Sequence, residues 1–518
     1  MAERQKKLSL QARYRVLQQV RGAHRYIGSS SSNAKRAVQH LDPAEVPPKL
    51  LFVTSEMTDF VKVGGLGDVS SALPRALRQT NDIRILIPGY RQVTGGREIA
   101  LVAELAPFAG LPACSLGRID MADGLVIYVL VCPDLFDREG TPYADKNGSD
   151  WVDNDVRFAR LSFAAAEIAS GVPDLGWKPD LLHLNDWPAS LAPAYLSWRG
   201  LDVPTVLTVH NLAYQGLFPR ERLPVLGVPD SSFQMEGVEF HGNLSFLKSG
   251  LYYASHVTTV SQTYAREITT PEFGCGLEGL LQTRARQHAL TGILNGVDES
   301  WDASRDPVLP ASFTSTNLKG RSINAAQARE AFGLGVSRGP LFAIISRLVH
   351  QKGIDLAIRA AEDFVQKGGQ LAVTGQGDPS LENAMLDLAK RNPGKVGVKI
   401  GFNEAEARCL FAGSDFLLMP SRFEPCGLSQ MYAQRYGSLP VAYRTGGLAD
   451  TIEDGETGFL YSEMNLSALM NAVSRALGAF ASRSMLLRMR RKAMSRPHNW
   501  LHSSRRYNHV YEVLLGVR

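Results

Sequence analysis

Ten short runs of nearly uninterrupted apolar residues, arranged in two series and alternating with helical stretches, constrain this chain more than any other feature. Leu50-Leu51-Phe52-Val53-Thr54, Ile83–Ile87, Leu125–Val131, Leu181–Leu184 and Val206–Val209 form the first series. Leu341–Ile345, Gly369–Thr374, Val396–Ile400, Phe416–Met419 and Pro440–Tyr443 form the second. A run without polar alternation is the pattern of a strand buried on both faces, and such strands separated by helices pair in parallel under two helical layers. The series divide after Asn295-Gly296, giving an α/β chain of two Rossmann-like doubly wound domains facing a cleft. In sheets of this kind ligands bind beyond the carboxyl ends of the strands, so the loops after these runs are where chemistry is expected.

The expected organisation is a basic N-terminal extension over 1–48, a first domain over 49–296, a second over 297–496, and a C-terminal segment over 497–518. Asn317–Arg329 reads as linker. With 44% hydrophobic and 21% charged residues the chain has a globular composition, not a disordered, fibrous or membrane-embedded one. No stretch approaches the roughly 18 apolar residues of a spanning helix, and Met1–Lys7 leads into no signal-peptide core, so a cytoplasmic location is expected. The Arg- and Ser-rich extension leaves a transit peptide as the alternative.

Residues 1–47 carry nine Lys/Arg against three Asp/Glu, and 483–518 carry nine against one; with a total of +5, the body between them is acidic. That balance argues against a nucleic-acid-binding core. Five widely spaced cysteines without a C-x-x-C pair argue against a disulfide framework or a cysteine zinc site.

Five loops stand out. Lys62-Val63-Gly64-Gly65-Leu66-Gly67-Asp68 follows the first strand and precedes a helix, so its amides and the helix N-terminus can approach a phosphate. It is neither a dinucleotide fingerprint nor a P-loop. Ser346–Gly353 places Arg347 and Lys352 past another strand end, a fork and a point charge suited to a diphosphate. In Ser421–Ser429, Glu424 can accept from sugar hydroxyls ahead of a helix N-terminus, and Cys426 reads more readily as an inert thiol than as a nucleophile. His183–Trp187 and Thr208–Gly216 each combine a histidine, a polar partner and an aromatic, a mixture that binds carbohydrate; His183 reads more readily as a packed strand-end residue, and His210 as a functional one.

Taken together, the Lys62–Val69 motif, Asn185-Asp186-Trp187, Thr208–Gly216, Ser245–Ala254, Ile293–Asp298, Ser346–Gly353, Pro420–Leu428 and Arg444–Thr451 occur in the order seen in glycosyltransferase family 5, and the chain resembles its bacterial glycogen synthases and plant starch synthases over roughly 49–470. The resemblance implies a glycosyltransferase B fold and transfer of glucose from ADP-glucose to the non-reducing end of an α-1,4-glucan primer (glycogen), with retention. It implies His210, Arg347, Lys352 and Glu424 as catalytic residues. On the donor side it implies Lys62, Gly64, Gly65, Asp68, Cys426, Gly427, Leu428, Ser429, the Gly446-Gly447 turn, and Phe402 beside adenine. Asp186, Asn211, Tyr214 and Gln215 fall on the acceptor side, and the C-terminal helix is expected to pack back on the first domain. No metal or other cofactor, nucleic acid or membrane is expected; ADP-glucose is a substrate.

The chain departs from the family in being one residue shorter between Asp298 and Trp301. Tyr432 stands where related glycosyltransferases often carry a second Glu, as it does in the synthases. Three alternatives define the tests: a synthase using UDP-glucose, a non-catalytic glucan-binding relative, and a nicotinamide oxidoreductase. The second would be expected to have lost Lys62, Arg347, Lys352 or Glu424, and all are present; the third predicts a G-x-G-x-x-G fingerprint that is absent.

Overall fold

The computed structural model describes residues 47–516, so the extension lies outside the described residues except for Pro47 and Pro48. The first half contributes β1 (Lys49–Val53), β2 (Asp82–Pro88), β3 (Ala100–Leu105), β4 (Cys114–Asp120), β5 (Val126–Val131), β6 (Leu181–Asn185), β7 (Thr205–Val209), β8 (Leu217–Pro219), β9 (Glu239–Phe240), β10 (Asn243–Ser245), β11 (His256–Thr259) and β12 (Leu290–Gly292). Nine of these form one sheet in the order β12-β11-β7-β6-β1-β2-β5-β4-β3, and β8-β10-β9 form a small antiparallel sheet. The second half contributes β13 (Leu341–Ile345), β14 (Gln370–Gly375), β15 (Val396–Ile400), β16 (Phe416–Met419), β17 (Leu439–Tyr443) and β18 (Phe459–Tyr461), all parallel, in the order β15-β14-β13-β16-β17-β18.

Every residue of β6, β7, β13, β14 and β16 is buried, which is why these strands read as continuous apolar runs. The first sheet is not parallel throughout, as the apolar runs alone had implied: β3, β4 and β5 form an antiparallel edge. One face of that edge is wet, so β3 and β4 carry Glu104, Arg118 and Asp120 among their apolar residues and leave no continuous run. The expected linker at 317–329 is instead mostly helix, Gly320–Ala331, anchored by buried Arg321 and Asn324.

Each sheet reverses its order at one point. In the first, the chain runs outward from β1 through β2 and returns to β6 on the other flank; in the second, β13 and β16 are the corresponding pair. The loops leaving these four strands flank the crevices where ligands of doubly wound sheets bind. They are the Gly64-Gly65 loop, Asp186, the Arg347–Lys352 loop and the Glu424 loop.

The chain passes between the halves twice at one place. Val297 N–H donates to His498 O at 2.6 Å, and a Cβ on Gly296 would fall 2.6 Å from Trp500 N. The helix Trp500–Leu515 then packs on Gly65–Leu77. Asn508 exchanges hydrogen bonds with Asn81 and Thr80 at 2.8 Å, and Tyr511 OH meets His183 Nδ1 at 2.6 Å.

Candidate active site

The loop after β13 is stitched to the loop after β16. A Cβ on Gly353 would lie 2.0 Å from Pro420 O at a positive φ of 66°, so only glycine allows that approach. Arg422 forms a two-pronged ion pair with Asp355, both contacts at 2.8 Å, and its amide donates to Gln351 O. These contacts bring Lys352 Nζ to 2.6 Å from Glu424 Oε2, which also accepts from Ser421 Oγ at 3.0 Å. The pair is shielded, with side-chain exposures of 16% and 7%. One of three ammonium protons is thereby used, and Glu424 Oε1 has no protein donor among the described residues. Arg347 is exposed, and among the described residues its guanidinium makes only two long hydrogen bonds, to Gln351 Oε1 at 3.3 Å and to Tyr214 OH at 3.4 Å. The latter crosses from one half of the molecule to the other.

Opposite, the glycine loop rests on a carboxylate that the sequence reading did not single out. Buried Glu56, three residues past β1, accepts from the Val63 and Gly64 amides at 2.7 and 2.9 Å with Oε2, and from Tyr143 OH at 2.6 Å with Oε1. The helix Gly65–Leu77 that follows has no side-chain cap, leaving its positive end turned to the cleft. A Cβ on Gly64 would meet nothing within 4 Å, and one on Gly65 would only touch Leu428 of the other half. Internal packing therefore does not require glycine at either position. Lys62 pairs with Asp68 at 2.7 Å, so Asp68 holds the lysine at the loop.

Asp186, at the end of β6, has a left-handed φ of 53° and accepts the His210 amide at 2.7 Å. Such a conformation is strained for a residue with a Cβ, and the hydrogen bond offsets it. Burial pushes the Asp186 carboxyl up to about 7, against the pull of the His210 and Asn211 amides. Its raised folded value means that its contribution to stability is present below the ordinary carboxylate range and is lost as pH rises through 7. Asn185 Nδ2 donates to Val53 O, so its Oδ1 is the acceptor that meets His210 Nε2 at 3.0 Å. His210 therefore carries its proton on Nε2 and keeps Nδ1 as an acceptor.

Burial pulls His210 down to about 3, and His183, held by Tyr511 and Thr208, to about 3 as well. Both stay neutral across the working range; each adds stability that is full above about 6.5 and lost as pH falls toward 3. In a proton NMR titration the ring signals of His183 and His210 should stay flat from pH 8 to pH 5, and a His210 midpoint between 6 and 7 would contradict this placement. His183 is thus a packing residue that ties the C-terminal helix to the sheet, outside the cleft.

Gly446 and Gly447 have a packing reason for being glycine. Cβ atoms there would fall 2.0 Å from Glu424 O and 2.0 Å from Cys426 O. Their amides are committed, Gly446 N–H to Glu267 at 3.0 and 3.1 Å and Gly447 N–H to Glu424 O at 3.1 Å. The turn thus shapes the Glu424 loop from behind, with no amide left over for a phosphate. Cys426 is buried and its thiol is pushed up to about 12 by that burial, so it is a packing residue. Gly427 has φ 69° and leads into the uncapped helix Ser429–Arg435 through Leu428. Gly447→Ala should force the Cys426 backbone, two residues past Glu424, aside and lower turnover by at least about tenfold, a steric cost on the scale of an overpacked core; unchanged kinetics would show that the turn does not shape the loop.

Further contacts join the two halves beside this site. Ser261 Oγ donates to Pro425 O at 2.5 Å, and Thr263 donates to Asp450 through both its amide and its hydroxyl, at 2.9 and 2.6 Å. Tyr214 is 52% exposed on the cleft. Asn211 folds back on the Ala213 amide, and Gln215 Nε2 donates to Cys275 O at 3.0 Å while its Oε1 is buried without a partner. Phe402 stands 63% exposed just past β15, the edge strand of the second sheet and two strands from β13. Glu56, Tyr143 and Glu267 are the supports that sequence reasoning missed; the one signal was a Ser-Glu pair directly past the first strand. Among the described residues no cluster of three His, Cys, Asp or Glu side chains could hold a metal ion, and no helix is long and apolar enough to cross a membrane.

Residues 49–283 match the family described as starch synthase catalytic domain, and 329–493 match glycosyl transferases group 1. The chain is 58% identical over 468 residues to the glycogen synthase of Pseudomonas putida, covering 90% of each chain. It is 59% identical over 468 residues to that of Pseudomonas syringae pv. syringae, covering 90% of this chain and 96% of the relative. Among solved structures it is similar to the catalytic domain of starch synthase IV from Arabidopsis thaliana bound to ADP and acarbose. The TM-score is 0.80 at 29% identity, with 91% of this chain and all of that one covered.

Proposed function

Because this chain belongs to the glycogen and starch synthases of glycosyltransferase family 5, we propose that it transfers glucose from ADP-glucose to the non-reducing end of an α-1,4-glucan with retention at the anomeric carbon. The observation that carries the reading is the grouping of Arg347, Lys352 and Glu424 on two mutually braced loops at the switch point of the second sheet. Arg347, which has no carboxylate partner among the described residues, and Lys352, which spends one proton on Glu424 and keeps two, suit a leaving nucleoside diphosphate, and a shielded carboxylate with one free oxygen suits the hydroxyls of its sugar. The choice of ADP is supported by the ADP in the Arabidopsis relative, and Phe402 offers an exposed ring for adenine to stack on.

As the bond from the anomeric carbon to the diphosphate lengthens, charge grows on the phosphate oxygens. Arg347, the remaining protons of Lys352 and the N-terminus of Gly65–Leu77 stabilise that charge more than they stabilise the intact donor. Neutral His210 offers Nδ1 as an acceptor to a sugar hydroxyl. Each of these cleft carboxylates already has partners: Glu424 is held through Oε2 by Lys352 and Ser421, leaving Oε1 for the sugar hydroxyls, Glu56 by two amides and Tyr143, and Asp186 by two amides. A double displacement needs a carboxylate free to attack the anomeric carbon. Attack of the acceptor hydroxyl from the face the diphosphate is leaving, with a phosphate oxygen taking its proton, agrees better with this arrangement.

Proton NMR of the reaction between ADP-glucose and maltoheptaose tests the stereochemistry. New α-1,4 anomeric signals with no β signal at any time are expected. A transient β product, or capture of a glucosyl-enzyme in a rapidly quenched digest, would overturn the mechanism.

A further inference from the structure

Of the five cysteines, two that are far apart in the chain are neighbours across the edge of the first sheet. The antiparallel register of β4 and β5 pairs Ser115 with Val131 and Leu116 with Leu130, which sets Cys114 directly opposite Cys132 one step further on. Directly opposed residues in such a ladder have Cα atoms about 4.5–5.5 Å apart, inside the roughly 4.4–6.8 Å span of a disulfide. Side chains alternate along a strand, so both thiols lie with Leu116 and Leu130 on the buried face, 4% and 6% exposed, and both are free.

The surroundings are electropositive. Arg160, on the helix Asn154–Ser170, donates through Nε to Cys114 Sγ at 3.1 Å. Cys114 Sγ donates to Pro112 O at 3.5 Å and Cys132 Sγ to Ala113 O at 3.9 Å, while the Leu135 amide at the start of the short helix Pro133–Phe136 donates to Cys132 O at 3.0 Å. One proton shared between the two sulfurs favours a single thiolate beside the guanidinium, and the Cys132 thiol is drawn below the ordinary range while that of its partner is raised. Arg160 is itself paired, with Glu167 at 2.9 Å, so its charge is held in place whichever state the sulfurs adopt. The cleft chemistry uses neither cysteine.

We propose that Cys114 and Cys132 form an oxidative modification site in which a peroxide converts the two thiols reversibly to a cross-strand disulfide. The Cys132 thiolate attacks one peroxide oxygen; the O–O bond breaks, hydroxide leaves and takes up a proton as water, and Cys132 becomes a sulfenic acid. Cys114 then attacks that sulfur, losing its proton as the S–S bond forms and the hydroxyl departs as a second water. Two thiols and one hydrogen peroxide thus give one disulfide and two waters.

The test is peptide mapping of the reduced, folded full-length protein after hydrogen peroxide, with remaining thiols capped by N-ethylmaleimide on unfolding. The expected product is a Cys114–Cys132 linked peptide pair, lighter by two hydrogens and restored by dithiothreitol. In Cys114→Ser the disulfide cannot form, and a dimedone adduct should be trapped at Cys132. Capping of both cysteines as free thiols, with oxidation confined to exposed Cys275, would overturn the proposal, as would sulfinic acid at Cys132 without a crosslink in the wild-type chain. The wild-type map decides the question even where a serine variant folds poorly.

Discussion

Lys352→Ala is expected to lower kcat at least about 100-fold with ADP-glucose and a glucan primer, the scale of losing one donor to a charge that develops in the transition state. The same substitution should destabilise the fold. Lys352 Nζ lies 2.6 Å from a Glu424 carboxylate whose side chain is 7% exposed, and removing the cation leaves that charge buried with only Ser421 as a partner. Breaking a shielded pair from one side costs up to about 3 kcal/mol, because the desolvation of the survivor is no longer offset. Urea unfolding of the variant reports this loss. Lys352→Arg should recover part of the stability but little of the rate, since a planar fork cannot place a point charge between carboxylate and phosphate. Wild-type turnover in Lys352→Ala would remove this residue from the chemistry.

Arg347→Ala should show the same fall in kcat, at least about 100-fold, without the stability cost. Its guanidinium is exposed and its two protein contacts, at 3.3 and 3.4 Å, are too long to contribute much to the fold. A surface substitution of this kind changes stability by no more than about 0.5 kcal/mol. The pair of variants therefore separates catalysis from folding, because both lose rate and only one loses stability. Unfolding free energies that fell equally in both, with rate losses that tracked them, would mean that the two cations serve the fold alone.

Two-sided burial made most of the long strands legible, whereas β11, β12 and β18, only three or four residues long, were not read. β1, β2, β5, β6 and β7, and β13, β14, β16 and β17, each appear as an apolar run because they are largely buried on both faces, and the edge strand β15 remains one although Lys399 and Ile400 at its end reach water. β3 and β4 escaped because an edge with one wet face mixes Glu104, Arg118 and Asp120 with its apolar residues, and β8 to β10 escaped because two or three residues carry no period. Of the candidate site, the parts that announce themselves are glycines and permanent charges just past strand ends: Gly64-Gly65, Arg347, Lys352 and Glu424. The supports do not. Glu56 acts on the backbone amides of Val63 and Gly64, and an amide has no letter in the sequence. Glu267 reaches the Gly446 amide from a helix 179 residues away. The same holds for Gly446 and Gly447, whose need to be glycine comes from carbonyls of residues 424 and 426 that only the tertiary fold brings within 2.0 Å of a Cβ.

The central claim is that the loops carrying Arg347, Lys352 and Glu424 act on a nucleoside diphosphate glucose and hand its sugar to a glucan. The most direct measurement is nucleotide release by the purified chain offered ADP-glucose or UDP-glucose, each with and without glycogen. ADP release that requires the primer and is matched by growth of the glucan is the expected result. Preference for UDP-glucose would overturn the nucleotide assignment, and no primer-dependent release from either donor would contradict the account.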